Sequence, residues 1–113
     1  MNNISVTPEE FVKEFWLLKN QSLSSVINDN QSLAHQLLKK LNLTQEQKSA
    51  LPEFLDIMLT DVLYTVLLGL DGAAQIGEKQ VVYSLLDEEG NKICGEKGEV
   101  EAFAYDYFHN QKQ

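Results

Sequence analysis

The stretch LPEFLDIMLTDVLYTVLLGLDG, residues 51–72, is the most apolar part of the 113-residue chain. Its large apolar residues recur at intervals of three and four, which is the period of one face of an α-helix. Pro52 suits the first turn of a helix, where its missing N–H is no loss, and Gly72 suits a left-handed stop. The pattern predicts a central helix over about 52–70, with most of its surface in the core.

A helix of this length, roughly 30 Å, could also cross a bilayer. Glu53, Asp56 and Asp61 lie within it. Each acidic group would cost several kcal/mol in hydrocarbon. We therefore interpret the stretch as the core helix of a soluble domain and predict no membrane association.

The totals are those of one domain spanning residues 1–113. Cys94 is the single cysteine, so an internal disulfide framework is excluded and a reducing compartment is favoured. The N-terminal sequence MNNISVTPEEF has neither a basic nor an apolar segment of a secretory signal. We expect a cytoplasmic protein.

Charge is the most unusual property of the composition. The formal net charge is −8, and all nine basic residues are Lys. Because Arg is the usual residue for bidentate contacts to phosphates and bases, its absence argues against nucleic-acid binding. Residues 1–50 carry five Lys and five acids, whereas residues 51–113 carry four Lys and twelve acids. The acidic second half serves solubility or attracts a basic partner.

Two capping boxes predict helix starts in the first half. Thr7 and Glu10 form the first, with Pro8 in the first helical position, and Thr44 and Gln47 form the second. We expect the second to begin a short helix that leads into the central one.

Between the two capping boxes, the polar residues at 20–21 interrupt the apolar pattern and predict the end of the first helix. Asp29 or Asn30 is then the predicted cap of a further helix that ends near 41.

The period changes after the central helix. Residues 80–86, QVVYSLL, predict a strand, DEEGN at 87–91 a turn, and residues 92–94 a short returning strand. A terminal helix is predicted over about 99–109. The fold class is therefore α+β and mainly helical, with four to five helices around the central helix and one β-hairpin at about 80–94.

Candidate chemistry is weak throughout. The glycines of residues 71–78 follow a helix and precede a strand, the reverse of a phosphate-binding loop, so a helix-to-strand turn is the better interpretation. Asp106 and His109 are two ligands at most, which do not make a metal site. Cys94 has no local base and is interpreted as a small buried hydrophobic residue. We predict no catalytic residue, no metal and no cofactor, and expect a protein that is not an enzyme.

Asp61 is the acid with apolar neighbours on nearly all sides. If its carboxylate is buried, Asp61 would be an acid/base candidate with a raised pKa. If it is part of a polar edge with Asp56 and Tyr64, it would belong to an acidic docking surface, and we favour this second interpretation. Tyrosines would add the aromatic anchors that interfaces use. The predicted partner-binding residues are Asp56, Asp61, Tyr64, Asp71, Glu78, Asp87, Glu88, Glu89 and Tyr105.

The segments GLDGAAQIG, DEEGN and AYDYFH, within the last fifty or so residues, resemble a group of small bacterial proteins of uncharacterised function. In size, acidity and lack of catalytic groups the chain also resembles immunity proteins, which neutralise a toxin made by a neighbour or by the same cell. The second resemblance implies a protein that acts by binding another protein.

These observations predict a small binding domain whose acidic second half occludes a basic protein partner. The alternative is a small-ligand binder or small enzyme, with a pocket between the central helix and the hairpin lined by Asp61, Asp71, Glu78 and tyrosine hydroxyls. A third possibility is a homodimer, formed by hairpin pairing or by an exposed part of the central helix.

Overall fold

The computed structural model describes residues 6–95 and 98–110. Within these ranges the helices are α1 (Pro8–Asn28), α2 (Leu33–Lys40), α3 (Gln45–Leu70) and α4 (Glu99–Phe108). An antiparallel hairpin, β1 (Leu85–Leu86) and β2 (Lys92–Cys94), lies between α3 and α4. The mainly helical α+β fold with a long central helix is thus confirmed. No helix in this part of the chain has the length and apolarity needed to cross a membrane.

The first helix starts where the capping box predicted and runs further than expected. The Glu10 N–H donates to Thr7 Oγ1 at 3.1 Å, and the Thr7 N–H donates to Glu10 Oε1 at 3.0 Å. The predicted end at residues 20–21 is wrong, since α1 continues for 21 residues to Asn28. Half-buried apolar side chains at 23, 26 and 27 continue the helical spacing, so packing outweighs the polar residues between them.

The cap of α2 also differs from the prediction. Ser32, rather than Asp29 or Asn30, accepts the bond that starts this helix, from the His35 N–H at 3.2 Å. Asp29 instead accepts from the Gln31 N–H at 2.9 Å and shapes the bend between α1 and α2. Both residues are good acceptors for nearby N–H groups, and the sequence alone does not rank them.

The central helix begins seven residues before the predicted start. The Thr44 capping box is formed, with Thr44 N–H to Gln47 Oε1 at 2.8 Å and Gln47 N–H to Thr44 Oγ1 at 3.1 Å. It opens one continuous helix of 26 residues, so the separate short helix was a wrong prediction. Pro52 consequently lies inside α3 rather than in its first turn, and the Lys48 carbonyl lacks the N–H that a helix would normally supply.

Within the described ranges, the predicted strand 80–86 is paired at its last two residues. Leu85 aligns with Cys94 and Leu86 with Lys92, with a bulge between the two pairs. β2 ends at Cys94, and among the described residues no strand pairs with residues 80–84. Gly95 has a φ of 135°, and a Cβ there would lie 2.7 Å from the Tyr83 carbonyl oxygen, so the close approach requires glycine.

The core sits at the C-terminal end of α3, where α1, β2 and α4 converge. Its buried apolar residues are Val12, Leu67, Ile93, Cys94, Val100, Ala104, Tyr107 and Phe108. Within α3 itself only Leu67 and Gly69 are buried, so the prediction that most of the central helix is core is wrong. The Cα radius of gyration is 16.7 Å, against about 13 Å for a compact domain of this length. The first half of α3 extends beyond the shared core.

Lys19 of α1 is the buried charged residue that links three helices. Its side chain is held by Asp56 and Thr60, which are one turn apart on α3: Nζ lies 2.8 Å from Asp56 Oδ1 and donates to Thr60 Oγ1 at 3.3 Å. The ammonium also lies 5.7 Å from the centroid of the Phe108 ring on α4. Asp56 Oδ1 is itself buried, and the ammonium is the group that compensates it.

We expect Asp56→Ala to lower the free energy of unfolding by about 1–3 kcal/mol, because Lys19 would keep only a neutral hydroxyl as its partner. The loss stays below that for a fully buried pair because the Asp56 side chain is 48% exposed. Glu53→Ala is the matched control: it removes an exposed acid three residues earlier on the same helix, and its effect should stay within about 0.5 kcal/mol. Equal effects of the two substitutions in urea unfolding would contradict a structural role for the pair.

Candidate functional site

Three aspartates among the nine predicted partner-binding residues connect parts of the fold through their carboxylates. Asp56 holds Lys19. Asp71 follows the last turn of α3 and binds the start of α4: its Oδ2 accepts from the Glu101 N–H at 3.0 Å, and its Oδ1 accepts from the Gly95 N–H at 3.4 Å. Gly98, at the N-cap position of α4, has no side chain to cap the helix. Asp71 therefore caps α4 from another element.

Asp87 is the third, and it organises the hairpin turn. Its Oδ1 accepts from the N–H groups of Glu89 and Asn91, both at 2.9 Å, and its Oδ2 accepts from the Asn91 side-chain amide at 3.1 Å. Bonds from the Asn91 backbone and side chain, and then from Glu89, hold the pKa of the Asp87 carboxyl below its ordinary value. Glu88 and Glu89 are exposed on this turn, and Glu78 is exposed in the preceding connection.

Tyr64 and Tyr105 are brought together by His109. The Tyr64 and His109 rings meet edge to face with centroids 4.4 Å apart, and the Tyr105 and His109 centroids are 5.9 Å apart. Burial, and then the negative charge of Glu101, raise the pKa of the Tyr64 hydroxyl. We call Tyr64, Tyr105, His109 and Glu101 the aromatic–acidic cluster. His109 was considered only as a metal ligand beside Asp106, and its ring contacts were not predicted, although its spacing of four from Tyr105 on a helix was a usable signal.

Asp61 lies in the middle of an apolar surface of α3. Phe54, Ile57, Met58 and Val62 are 61%, 55%, 45% and 56% exposed, and their spacing of three and four places them on one side of the helix. Asp61 shares that side and is exposed. We call these five residues the exposed α3 face. The hypothesis of a buried acid/base carboxylate at Asp61 is wrong, because the carboxylate lies in water.

Two concavities on the described residues lie away from the hairpin. One is a wide-open depression along the C-terminal part of α1, and the other is a groove between α1, α2 and the start of α3. Neither is lined by Asp61, Asp71, Glu78 or a tyrosine. They therefore give no support to an enzyme pocket between the central helix and the hairpin.

The described residues contain neither a group of metal ligands nor an accessible cysteine nucleophile. Among them, no group of three or more His, Cys, Asp or Glu side chains could hold a metal. Cys94 is buried, and its thiol donates to the Leu70 carbonyl at 3.4 Å. Burial, and then the Asp71 carboxylate, raise the pKa of the Cys94 thiol. The thiol is therefore held protonated, the state in which it is a poor nucleophile.

Comparison of the chain with protein-family models, curated proteins and solved structures found no match. The case for a function consequently depends on the chain's own surfaces.

We expect Asp71→Ala to lower the free energy of unfolding by about 1 kcal/mol, because α4 would lose its only side-chain cap among the described residues. Asp71→Asn retains one acceptor oxygen and should lose less. Hydrogen exchange at the Glu101 amide should accelerate more in the Ala variant than in the Asn variant. Unchanged exchange at this amide would show that the carboxylate does not cap the helix.

The Asp87 turn predicts a specific pH dependence of stability. Because its pKa in the folded protein is below the ordinary value of 3.8, the turn is stabilised above that pH and loses this stabilisation as the pH falls through the folded pKa. Asp87→Asn should therefore flatten the fall in unfolding free energy between about pH 5 and pH 2. Glu88→Gln, at the exposed neighbouring position, is the control and should leave the profile closer to that of the parent protein. Identical profiles for all three proteins would exclude the assigned role.

Proposed function

We propose that this protein is a small, non-enzymatic binding domain that docks a basic protein segment. The observation that carries the proposal is the exposed α3 face, where four large apolar side chains surround one carboxylate. Contiguous exposed apolar surface rimmed by polar groups is typical of interaction sites on monomeric proteins. The proposal retains the cytoplasmic location predicted from the composition.

Asp61 determines the chemistry of the partner. A partner that covered Phe54, Ile57 and Met58 would also remove water from Asp61, which is costly for a carboxylate without a compensating cation. The fitting segment therefore has an apolar side with a Lys or Arg among its apolar residues, as an amphipathic basic helix does. Pairing α3 faces from two copies of this chain would instead bring two carboxylates into an apolar interface.

The aromatic–acidic cluster extends the surface towards α4. Tyr64 lies three residues after Asp61 on α3, within reach of the same partner. Tyr105 is 53% exposed, and the negative charge of Glu101 acts on the neighbouring Tyr64 hydroxyl. Aromatic faces and carboxylates together favour guanidinium and ammonium groups. The partner's flanking cations would thus be bound here, while its apolar residues contact the α3 face.

This arrangement supports the occlusion mechanism predicted from the charge distribution. The net charge of −8 would steer a basic partner, and such steering accelerates association and weakens with salt. The apolar part of the α3 face would supply the salt-insensitive fraction of the affinity. An immunity-type protein that covers a basic region of a toxin is one protein that would act in this way.

The test uses the full chain and two designed helical peptides that share one leucine face, one with lysines and one with glutamates on the polar side. We expect the lysine peptide to bind more tightly in calorimetry, and Asp61→Lys to weaken it about tenfold, as for a central interface charge. Glu14→Lys makes the same change of charge at an exposed position on α1 and should weaken it much less.

Equal weakening by the two charge reversals would show diffuse attraction and contradict a specific site. Binding of the glutamate peptide as tight as that of the lysine peptide would also contradict it. A dimeric mass in light scattering that is lost in Met58→Glu would assign the α3 face to a second copy of the chain instead.

A further inference from the structure

The groove between α1, α2 and the start of α3 has a chemistry unlike the rest of the molecule. Its volume is about 470 Å³, and six of its eight lining residues are apolar, among them Ile27, Leu38, Leu43 and Leu51. The other two are Lys39 and Lys48, and no acidic residue lines it. The groove is therefore an apolar concavity whose charged groups are both cations.

The local charge is the reverse of that of the whole chain. Residues 30–52 carry three Lys and one acid, Glu46, in a protein whose net charge is −8. Among the described residues, neither Lys39 nor Lys48 forms an ion pair. An anion that entered the groove would meet two ammonium groups that are not neutralised by carboxylates of the fold.

The helix dipole favours a positive charge at only one of these two lysine positions. Lys39 lies in the last turn of α2, where the negative end of the helix dipole favours a cation. Lys48 lies at the other kind of helix end, near the start of α3, where the dipole disfavours a cation. An anion beside Lys48 would be favoured by the lysine and by the dipole together.

We infer that this groove binds a fatty-acid-like ligand, a carboxylate carried on an unbranched hydrocarbon chain. The chain would lie against the apolar lining, and the carboxylate would lie at Lys39 and Lys48. The volume is within the range of about 300–1,000 Å³ typical of small-molecule sites. This ligand suits the groove better than a phosphate or a short anion, because most of the lining is apolar. The inference does not depend on the proposed protein-binding surface, which lies on other residues.

The affinity should depend on the hydrocarbon chain and on the sign of the head group. Calorimetry of the full chain with sodium decanoate, below its micellar concentration, should give one site. Octanoate, which is two methylenes shorter, should bind about 15-fold more weakly, since each buried methylene contributes about fourfold. Decyltrimethylammonium, with the same chain length and a positive head, should bind much more weakly. Equal binding of the anionic and cationic amphiphiles would overturn the inference.

Matched substitutions locate the site. Lys48→Gln should weaken decanoate binding severalfold, whereas Lys40→Gln removes a lysine that does not line the groove and should have little effect. Leu41→Ala, at a groove residue that is 51% exposed, should weaken binding more than Leu37→Ala, at a residue that is 61% exposed and does not line it. Circular dichroism checks that each variant remains folded.

Three results would overturn the inference. The first is the absence of decanoate binding to the parent protein. The second is an equal loss in the Lys40 and Lys48 variants, which would indicate surface charge rather than a site. The third is co-sedimentation of the protein with anionic phosphatidylglycerol vesicles that decanoate does not reverse, since the ligand would then be a membrane surface rather than a free fatty acid.

Discussion

The buried ammonium of Lys19 is the constraint around which the helices are arranged. Burying a Lys in a small domain is unfavourable unless its charge is compensated. Compensation here requires Asp56 and Thr60 of α3 on one side and the Phe108 ring of α4 on the other. One side chain thereby fixes the rotation of α3 about its own axis relative to α1. It also links the start of the domain to its last helix.

That rotation decides which residues of α3 face water. With Asp56 and Thr60 turned towards α1, Phe54, Met58 and Val62 are on the opposite side of the helix, with Asp61 among them. The apolar surface is therefore exposed as a consequence of a polar interaction on the other side. A helix that is apolar around most of its circumference cannot bury every side against so few partners. The remaining apolar side chains are exposed to water, and they form the surface that we propose binds a partner.

Local signals in the sequence predicted the two capping boxes and the turn, because capping and turn chemistry depend on neighbours three or four residues away. Thr7, Thr44 and Gly90 are examples, and Gly90 in the predicted turn has a positive φ of 89°. Long-range roles were not predictable in this way. A lysine is usually exposed, so the burial of Lys19 could not be expected from its residue type. The capping of α4 by Asp71 joins residues that are 30 positions apart in the sequence. Pro52 was wrongly predicted to lie in the first turn of the central helix, because the Thr44 capping box starts the same helix seven residues earlier.

The acidic residues of the second half therefore differ in what their carboxylates do. Asp56, Asp71 and Asp87 each satisfy donors of the fold, so their charges are largely committed to intramolecular partners. Asp61 differs, because its carboxylate is exposed among apolar side chains where a partner would desolvate it. A net charge therefore predicts only that a basic partner is attracted from a distance. Specific affinity would require an exposed carboxylate beside apolar surface, and the proposal of a binding site on the exposed α3 face rests on Asp61 for that reason.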